Sequence, residues 1–380
     1  MQKDTGASVR IYNLAKGLAE TGNDVEVVLP RDKDAFEFVD GIAVYGLRGL
    51  IPRVILEVSR RFLDIERPTS IYFYDLLFAY RVGRLVREAD VVQIEHPQSG
   101  GLLTPFIKKV LKKPVVVDCH DVFQALRVRN TSVLRRTLET FLEKLAYKNA
   151  DLILTVSESE KRFLISSGFQ KCRIEVVPNG VDTEFFVKSH NQTETRRKYG
   201  LEGARVVVFV GNLEYMPNRE AIQVLSSAIA PRVLDEIKDA IFVIVGKKKN
   251  EMNLPPLMFT GFVDNVSDIL SVSDVAVAPL FHGSGTRLKI LEYFSCGLPV
   301  VSTSIGAEGL DIEDRVNILI EDDLESFALR IISLLRDSRL STSIGNAARK
   351  LATSTYDWAQ VTRKLDYTLD RLLSERRVKN

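Results

Sequence analysis

Short runs of apolar, mostly β-branched residues recur along the chain between longer amphipathic segments. Most of these runs are continuous rather than alternating, which is typical of parallel strands that are buried on both faces. Segments with helical periodicity, such as Arg10–Thr21, Thr131–Asn149 and Glu220–Lys238, fall between them. Strands that alternate with helices predict βαβ units and doubly wound sheets, the α/β class. The predicted strands are Val25–Leu29, Ile42–Tyr45, Asp90–Ile94, Pro114–Asp118, Asp151–Val156, Ile174–Val177, Val206–Val210, Ile241–Val245, Met258–Thr260, Val275–Leu280, Pro299–Thr303 and Asn317–Ile320.

The apolar runs form two groups, separated by the polar stretch Ser189–Gly203. The turn tripeptide Pro178-Asn179-Gly180 ends the last strand of the first group abruptly. A length of 380 residues fits two domains, since one domain usually takes about 100–200 residues. We therefore predict a first lobe over 1–182, a linker over 183–203, a second lobe over 204–355 and a C-terminal helix over 356–380.

The start of the chain is unusual for a complete first lobe. Asp4-Thr5-Gly6-Ala7-Ser8 runs directly into a helical pattern, which is the shape of a loop that connects a strand to a helix. We therefore expect the first lobe to lack its initial strand. A misplaced start codon and a real truncation would both explain this.

Charge, cysteine content and hydropathy exclude several classes of protein. The 52 Lys and Arg residues nearly balance the 50 Asp and Glu residues, which leaves a net charge of +2 and no long-range field for nucleic acid. Cys119, Cys172 and Cys296 lie far apart without CxxC spacing, which favours a reducing compartment and argues against structural zinc. The sequence has no signal-peptide core and no apolar stretch of about 18 residues. We therefore expect a cytoplasmic protein, with peripheral attachment at the inner face of the cell membrane left open.

Residues that directly follow predicted strands are the first candidates for chemistry, because ligands of open parallel sheets bind beyond the carboxyl ends of the strands. Glu95-His96 and His120-Asp121 follow two strands of the first lobe, and Gly211-Asn212 follows the first strand of the second. Three of the four histidines lie at such positions. An isolated loop histidine, by contrast, is usually an ordinary surface or hydrogen-bonding residue.

The segment after the predicted strand Val275–Leu280 carries the sharpest signal. Gly283-Ser284-Gly285-Thr286 forms a glycine-bearing loop before a helix. Its backbone can approach a ligand closely, and the helix N-terminus offers free N–H groups, so the segment predicts a phosphate or diphosphate site. Arg287 and Lys289 add positive charge, and Glu292 is placed to accept hydrogen bonds from ribose hydroxyls. The pattern is neither a Walker A loop nor a dinucleotide fingerprint. The alternative to a phosphate site is a plain loop followed by a surface ion pair between Lys289 and Glu292.

Four motifs, in order and spacing, resemble glycosyltransferase family 4 over nearly the whole chain. They are Val177-Pro178-Asn179-Gly180-Val181-Asp182 followed by Phe185, Gly211 at the opening of the second lobe, Gly261-Phe262-Val263, and Gly283–Glu292. The resemblance implies a retaining enzyme of the GT-B fold. Such a fold has two Rossmann-like, doubly wound parallel-sheet lobes with a cleft between them, and a C-terminal helix that crosses back to the first lobe.

The resemblance also implies a substrate and a set of site residues. The donor would be a nucleotide-diphospho-sugar linked to UDP or GDP, and the acceptor a glycan or lipid-linked molecule in surface polysaccharide or glycolipid synthesis. No cofactor or metal ion is expected, and no carboxylate pair as in glycosidases. The catalytic candidates are His96, His120, Arg287 and Glu292. The donor-binding candidates are Gly6, Gly211, Asn212, Phe262, Val263, Gly283, Ser284, Gly285, Thr286, Arg287, Leu288, Lys289 and Glu292.

Three positions depart from the family pattern. Ser284 stands where the first glutamate of the Glu-x7-Glu motif is expected. Asn212 and Asn218 stand where relatives often carry an arginine and a lysine that neutralise the donor diphosphate. A leaving nucleoside diphosphate needs its negative charge stabilised. We therefore predict that Arg287 and Lys289 take over the role of the absent arginine and lysine.

Two alternative functions stay open. A catalytically degenerate nucleotide-sugar-binding subunit would account for the departures, and a GT-B sugar-nucleotide epimerase would act without an acceptor. Basic amphipathic stretches at Arg48–Arg61 and Lys108–Lys113 are also suited to an anionic membrane surface, although solvated faces over an ordinary core give the same pattern. The sequence names neither the sugar, the base, the acceptor nor the oligomeric state.

Overall fold

The structure is a computed structural model that describes residues 6–31, 33–48, 76–120, 133–187, 192–247, 253–282 and 287–379. It divides into two compact units: Met1–Pro178 with Val361–Asn380, and Asn179–Gln360. The predicted boundary at 182 thus lies four residues beyond the division in the structure. The predicted linker 183–203 belongs to the second unit, where it contains a helix and the fully buried Leu201.

The first unit alternates strands and helices along the chain. Its described elements are α1 Gly6–Glu20, β1 Glu26–Pro30, β2 Ala35–Val39, β3 Ile42–Leu47, α2 Leu76–Leu85, β4 Val92–Glu95, α3 Pro97–Gly100, α4 Leu103–Lys109, β5 Val115–Cys119, α5 Val133–Asn149, β6 Leu152–Thr155, α6 Glu158–Ser166, a 3₁₀ turn Lys171–Arg173 and β7 Ile174–Val176. The C-terminal part of the last helix of the chain also belongs to this unit.

The described strands of the first unit form two sheets. The order β4-β5-β6-β7 is parallel throughout, and the order β1-β3-β2 pairs β1 with β3 in parallel and β2 with β3 antiparallel. The β2–β3 hairpin turns at Asp40-Gly41, where both residues have positive φ, as a two-residue turn requires. Sequence analysis did not predict β2. The expected lack of an initial strand stays a prediction.

The second unit continues the same alternation. Its elements are α7 Gln192–Lys198, β8 Arg205–Val210, α8 Met216–Val224, a π-helical turn Leu225–Ile229, α9 Ala230–Glu236, β9 Ala240–Val245, β10 Leu257–Gly261, α10 Val266–Ser271, β11 Val275–Ala278, α11 Leu288–Ser295, β12 Val300–Ser302, β13 Leu319–Ile320, α12 Leu324–Arg336, α13 Ser338–Leu351, a π-helical turn Ala352–Tyr356 and the start of α14 Trp358–Lys379.

The sheet of the second unit has the order β10-β9-β8-β11-β12-β13, and all its pairs are parallel. The central strand β8 shows why the predicted strand Val206–Val210 is a continuous run of apolar residues rather than an alternating one. Val206 and Val208 lie in one hydrophobic core, while Val207 and Phe209 lie in another. Because successive side chains of a strand point to opposite faces, this places a packed core on each face of the sheet. The predicted doubly wound α/β class is confirmed, and every predicted strand overlaps an observed one.

One buried ion pair connects α1 to the parallel sheet of the first unit. Arg10 Nε and Nη2 donate to the two carboxylate oxygens of Asp118 at 2.9 and 3.0 Å, and Arg10 Nη1 donates to the carbonyl of Pro178 at 2.8 Å. Arg10 is 1% exposed and Asp118 0%. A bidentate pair compensates two charges that would each be very unfavourable alone in this position.

No helix within the described ranges is long and apolar enough to cross a lipid bilayer.

We predict that Arg10→Met lowers the free energy of unfolding by about 3–5 kcal/mol, because it leaves a buried carboxylate without its counter-charge. Urea unfolding followed by circular dichroism measures this. The matched control is Arg81→Met, which breaks a bidentate pair with Asp34 on the partly exposed surface and should cost at most about 1 kcal/mol. Equal losses in both variants would contradict the role assigned to the buried pair.

Candidate active site

The helix α11 begins at Leu288 and carries three of the nine described donor-site candidates, Leu288, Lys289 and Glu292. Gly283, Ser284, Gly285 and Thr286 lie outside the described residues. Arg287 directly precedes the helix and is 8% exposed. Lys289 and Glu292 lie on the helix one turn apart, and each keeps part of its side chain accessible to solvent.

The Lys289 amine lies in a tight enclosure formed by β8 and α8. Its Nζ donates to Asn218 Oδ1 at 2.8 Å and lies 4.1 Å from the ring centroid of Phe209. A Cβ atom at Gly211 would lie 2.9 Å from this amine and 2.7 Å from Asn218 Nδ2. Gly211 is therefore a glycine because the amine and the amide occupy the space that a side chain would need.

One polar partner of Lys289 is Asn218, a position that departs from the family pattern. Asn218 Nδ2 donates to the carbonyl of Asn212 at 2.8 Å, which orients the amide so that its oxygen accepts from Lys289. The Lys289 amine thus lies beside position 218, where relatives often carry a lysine. The structure brings together Gly211, Asn218 and Lys289, as expected if Lys289 supplies the missing charge, and that role stays a prediction.

The surroundings shift both ionisable groups of α11 toward neutrality. Burial, with the nearby charge of Arg287, lowers the pKa of Lys289 from 10.5 to about 7, against the opposing effect of Glu292. Burial raises the pKa of Glu292 from 4.5 to about 7, although Lys289 opposes the shift. Both groups can therefore change their charge near neutral pH when a charged ligand arrives.

The remaining candidates of the second unit lie at strand ends. Asn212 follows β8 and is exposed, and its Oδ1 accepts from the backbone N–H of Glu214. Phe262 and Val263 follow β10; Phe262 is 73% exposed and Val263 is half-buried. In the first unit, Gly6 is the exposed first residue of α1.

The two histidine candidates of the first unit lie together at the ends of β4 and β5. Their ring centroids are 4.4 Å apart. His120 Nε2 lies 2.6 Å from Glu95 Oε2, and its side chain is 8% exposed. His96 has a positive φ of 68°, a conformation that is unusual outside glycine and concentrated at functional sites.

Sequence analysis placed Glu95 at a strand end but did not predict that Glu95 and Asp118 lie beside His120. Glu95, Asp118 and His120 have ligand atoms within 4.8 Å of one another. Arg10, however, binds both carboxylate oxygens of Asp118, so a metal ion at these residues would have to displace a guanidinium. The available signal was Asp118 itself, since a charged residue inside a fully buried strand requires a partner.

Two family models match successive parts of the chain. Residues 5–185 match Glycosyltransferase Family 4, and residues 204–337 match Glycosyl transferases group 1. The chain belongs to this family of glycosyltransferases. The predicted resemblance is confirmed, and the protein is a transferase.

Curated relatives extend the match along most of this glycosyltransferase. An Escherichia coli UDP-Gal:alpha-D-GlcNAc-diphosphoundecaprenol alpha-1,3-galactosyltransferase is 25% identical over 74% of this chain and 75% of its own length. A D-inositol 3-phosphate glycosyltransferase of Kribbella flavida is 25% identical over 90% of this chain and 85% of its own. A Candida albicans chitobiosyldiphosphodolichol beta-mannosyltransferase is 24% identical over 72% of this chain and 67% of its own length.

Solved structures share the fold. Anabaena HepE in complex with UDP-glucose superposes with a TM-score of 0.71 at 17% identity, over 98% of this glycosyltransferase and 97% of HepE. Sucrose-phosphate synthase of Thermosynechococcus elongatus gives a TM-score of 0.74 at 17% identity, over 98% of this chain and 94% of the synthase. The predicted GT-B architecture, with its two Rossmann-like lobes, is confirmed.

We predict that Glu292→Gln stabilises this glycosyltransferase in the absence of ligand. The pKa of Glu292 is higher in the folded state, about 7, than its ordinary value of 4.5, so its contribution to the free energy of unfolding decreases as the pH rises through this window. The advantage of the variant should therefore grow between pH 4.5 and 7 and then level off. Urea unfolding at a series of pH values measures this.

The control for this experiment is Glu321→Gln, which removes a carboxylate of the same unit that pairs with Arg330 at 2.7 Å. It should give no stabilisation at any pH. A pH-independent difference between wild type and Glu292→Gln would contradict the burial effect assigned to Glu292.

Proposed function

We propose that this protein is a retaining glycosyltransferase that moves a sugar from a nucleotide-diphospho-sugar, linked to UDP or GDP, to a glycan or lipid-linked acceptor. The pathway would be surface polysaccharide or glycolipid synthesis in the cytoplasm. The observation that carries the proposal is the cluster of Gly211, Asn218 and Lys289 at the carboxyl end of β8, where an α/β sheet binds its ligand. Lipid-linked substrates in the names of two relatives support the acceptor class.

The proposed role of Lys289 follows from the charge of the leaving group. Departure of a nucleoside diphosphate concentrates negative charge on its phosphates, and a preorganised cation stabilises that charge. Lys289, held by Asn218 and Phe209, would gain a proton and its full charge when a diphosphate binds. Arg287 and Lys289 would then perform the neutralisation without a metal ion, and Glu292 would bind the ribose hydroxyls.

We predict that Lys289→Ala weakens binding of UDP and UDP-glucose by about 10- to 100-fold, the loss expected when a charged hydrogen bond is removed. The double variant Lys289→Ala with Asn218→Lys should regain most of the affinity, because the new amine would enter the space vacated by Lys289. Isothermal titration calorimetry measures both effects. Lys238→Ala, an exposed lysine of the same unit, is the control and should bind as the wild type does.

The outcomes of this titration separate the proposed function from its alternative. Wild-type affinity in Lys289→Ala would contradict the site assignment. Asn212 and Asn218 favour a degenerate nucleotide-sugar-binding subunit, which would bind UDP or GDP and transfer no sugar to any lipid or glycan acceptor. A product with the anomeric configuration of the donor is expected, and an inverted product would contradict the retaining mechanism.

We further propose a peripheral membrane contact through the predicted stretch Lys108–Lys113. Lys109 and Lys112 are exposed beside Val110, which is 64% exposed. Lys108, by contrast, is bound to Asp151 at 2.9 Å. Exposed lysines around an apolar side chain suit an anionic lipid surface. The other predicted stretch, Arg48–Arg61, lies outside the described residues except for Arg48.

We predict that Lys109→Glu with Lys112→Glu reduces binding to vesicles containing anionic lipid by about tenfold or more, since each lysine near such a surface contributes about 1 kcal/mol. Cosedimentation with phosphatidylglycerol vesicles measures this. Lys33→Glu with Lys238→Glu makes the same charge change at exposed positions elsewhere. If both double variants lose binding equally, the effect comes from net charge and the proposed contact is wrong.

A further inference from the structure

Glu95 and His120 are brought together by the register of two neighbouring strands. Glu95 ends β4 and is the register partner of Asp118 in β5, and His120 is the first residue after β5. Glu95 Oε2 lies 2.6 Å from His120 Nε2, while Glu95 Oε1 accepts from Gln93 Nε2 at 2.7 Å. Both oxygens of the carboxylate are therefore engaged, which fixes its orientation toward the imidazole.

The carboxylate determines which ring nitrogen of His120 carries hydrogen. An ionised carboxylate only accepts hydrogen bonds, so Nε2 must donate to Glu95. The other nitrogen, Nδ1, is buried and has no hydrogen-bond partner among the described residues. A buried polar atom without a partner is unfavourable, and it therefore marks a position where a ligand atom is expected.

The charges that face His120 favour its protonated form. Burial lowers the pKa of His120, but the hydrogen bond that His120 donates to Glu95 and the negative charges of Asp118 and Glu95 outweigh it, and the pKa is raised. The nearest Asp118 oxygen lies 3.8 Å from Nε2. Arg10 on α1 opposes the shift, and the ring of His96 contacts that of His120 at an interplanar angle of 40°. A protonated ring has a hydrogen on Nδ1 as well as on Nε2.

We propose that Glu95 is a positioning residue that fixes the ring of His120 and its proton, so that the buried Nδ1–H donates to an anionic oxygen of the substrate. A carboxylate that holds one nitrogen of an imidazole while the other acts on the substrate is a known catalytic arrangement. His120 is the group in contact with substrate, and Glu95 acts through it. The inference deepens the proposed transferase function and rests on it only for the identity of the substrate.

Glu95→Gln tests the inference, because it keeps the size of the side chain and removes its charge. Histidine-selective NMR follows the ring signals of the four histidines with pH in the ligand-free protein, and a His120→Gln spectrum assigns the signal of His120. The pKa of His120 should fall by about 1–3 units in Glu95→Gln, the range for loss of a neighbouring opposite charge. Glu175→Gln removes an ion-paired carboxylate of the same unit and should leave His120 unchanged.

Release of UDP from UDP-glucose supplies the second readout. In Glu95→Gln, kcat should fall by about tenfold or more with little change in KM, and the high-pH limb of the rate profile should move to lower pH. Glu95→Asp keeps the negative charge. It should therefore restore part of the rate and move the high-pH limb of the profile back toward its wild-type position. A residue that only stabilised the fold would change neither the limb nor the titration of His120.

The two readouts have separate consequences. An unchanged titration of His120 in Glu95→Gln overturns the inference whatever the rate does. A lowered pKa together with a wild-type rate profile also overturns it, because His120 would then not act as a charged donor. If wild type fails to bind UDP-glucose, UDP and GDP, the proposed function is wrong, and the titration alone still decides whether Glu95 fixes the proton of His120.

Discussion

The buried ion pair between Arg10 and Asp118 is the interaction on which the first unit depends. Two full charges with at most 1% exposure can lie inside a protein only if each satisfies the other. This requirement fixes α1 against β5, and the third bond of Arg10 fixes the carbonyl of Pro178 at the end of the unit. His120 lies two residues beyond Asp118, so the ion pair lies next to the candidate histidine.

The second unit holds a buried amine, Lys289, that forms no salt bridge with the described residues. Lys289 is held by a neutral amide and an aromatic ring, and burial lowers its pKa to about 7. The raised pKa of Glu292 beside it has the same cause. Groups kept in an unfavourable state in the free protein are typical of binding sites, where function is obtained at the expense of stability. Under the proposed function, a diphosphate would supply the missing counter-charge.

Several candidate residues of both units lie at the carboxyl ends of parallel strands. Within β8, the residues Val206–Phe209 are fully buried between two cores, which leaves no place for a solvated polar group. The chain becomes polar only where the strand ends, at Gly211 and Asn212. Glu95 and His120 likewise lie at the ends of β4 and β5. The same geometric rule therefore positions the candidate residues of each unit.

The sequence by itself determined the α/β class, twelve of the thirteen described strands and the family, because burial on both faces and the glycine-bearing segment before α11 leave local patterns. It missed β2, whose alternating residues expose Phe36 and Phe38 at the edge of a sheet. It placed Glu95 and His120 at strand ends but did not pair them, and it gave no sign that Arg10 would pair with a residue 108 positions away. Local periodicity records how deeply a side chain is buried, whereas the partner of a buried charge is decided only when the folded chain brings distant strands and helices together.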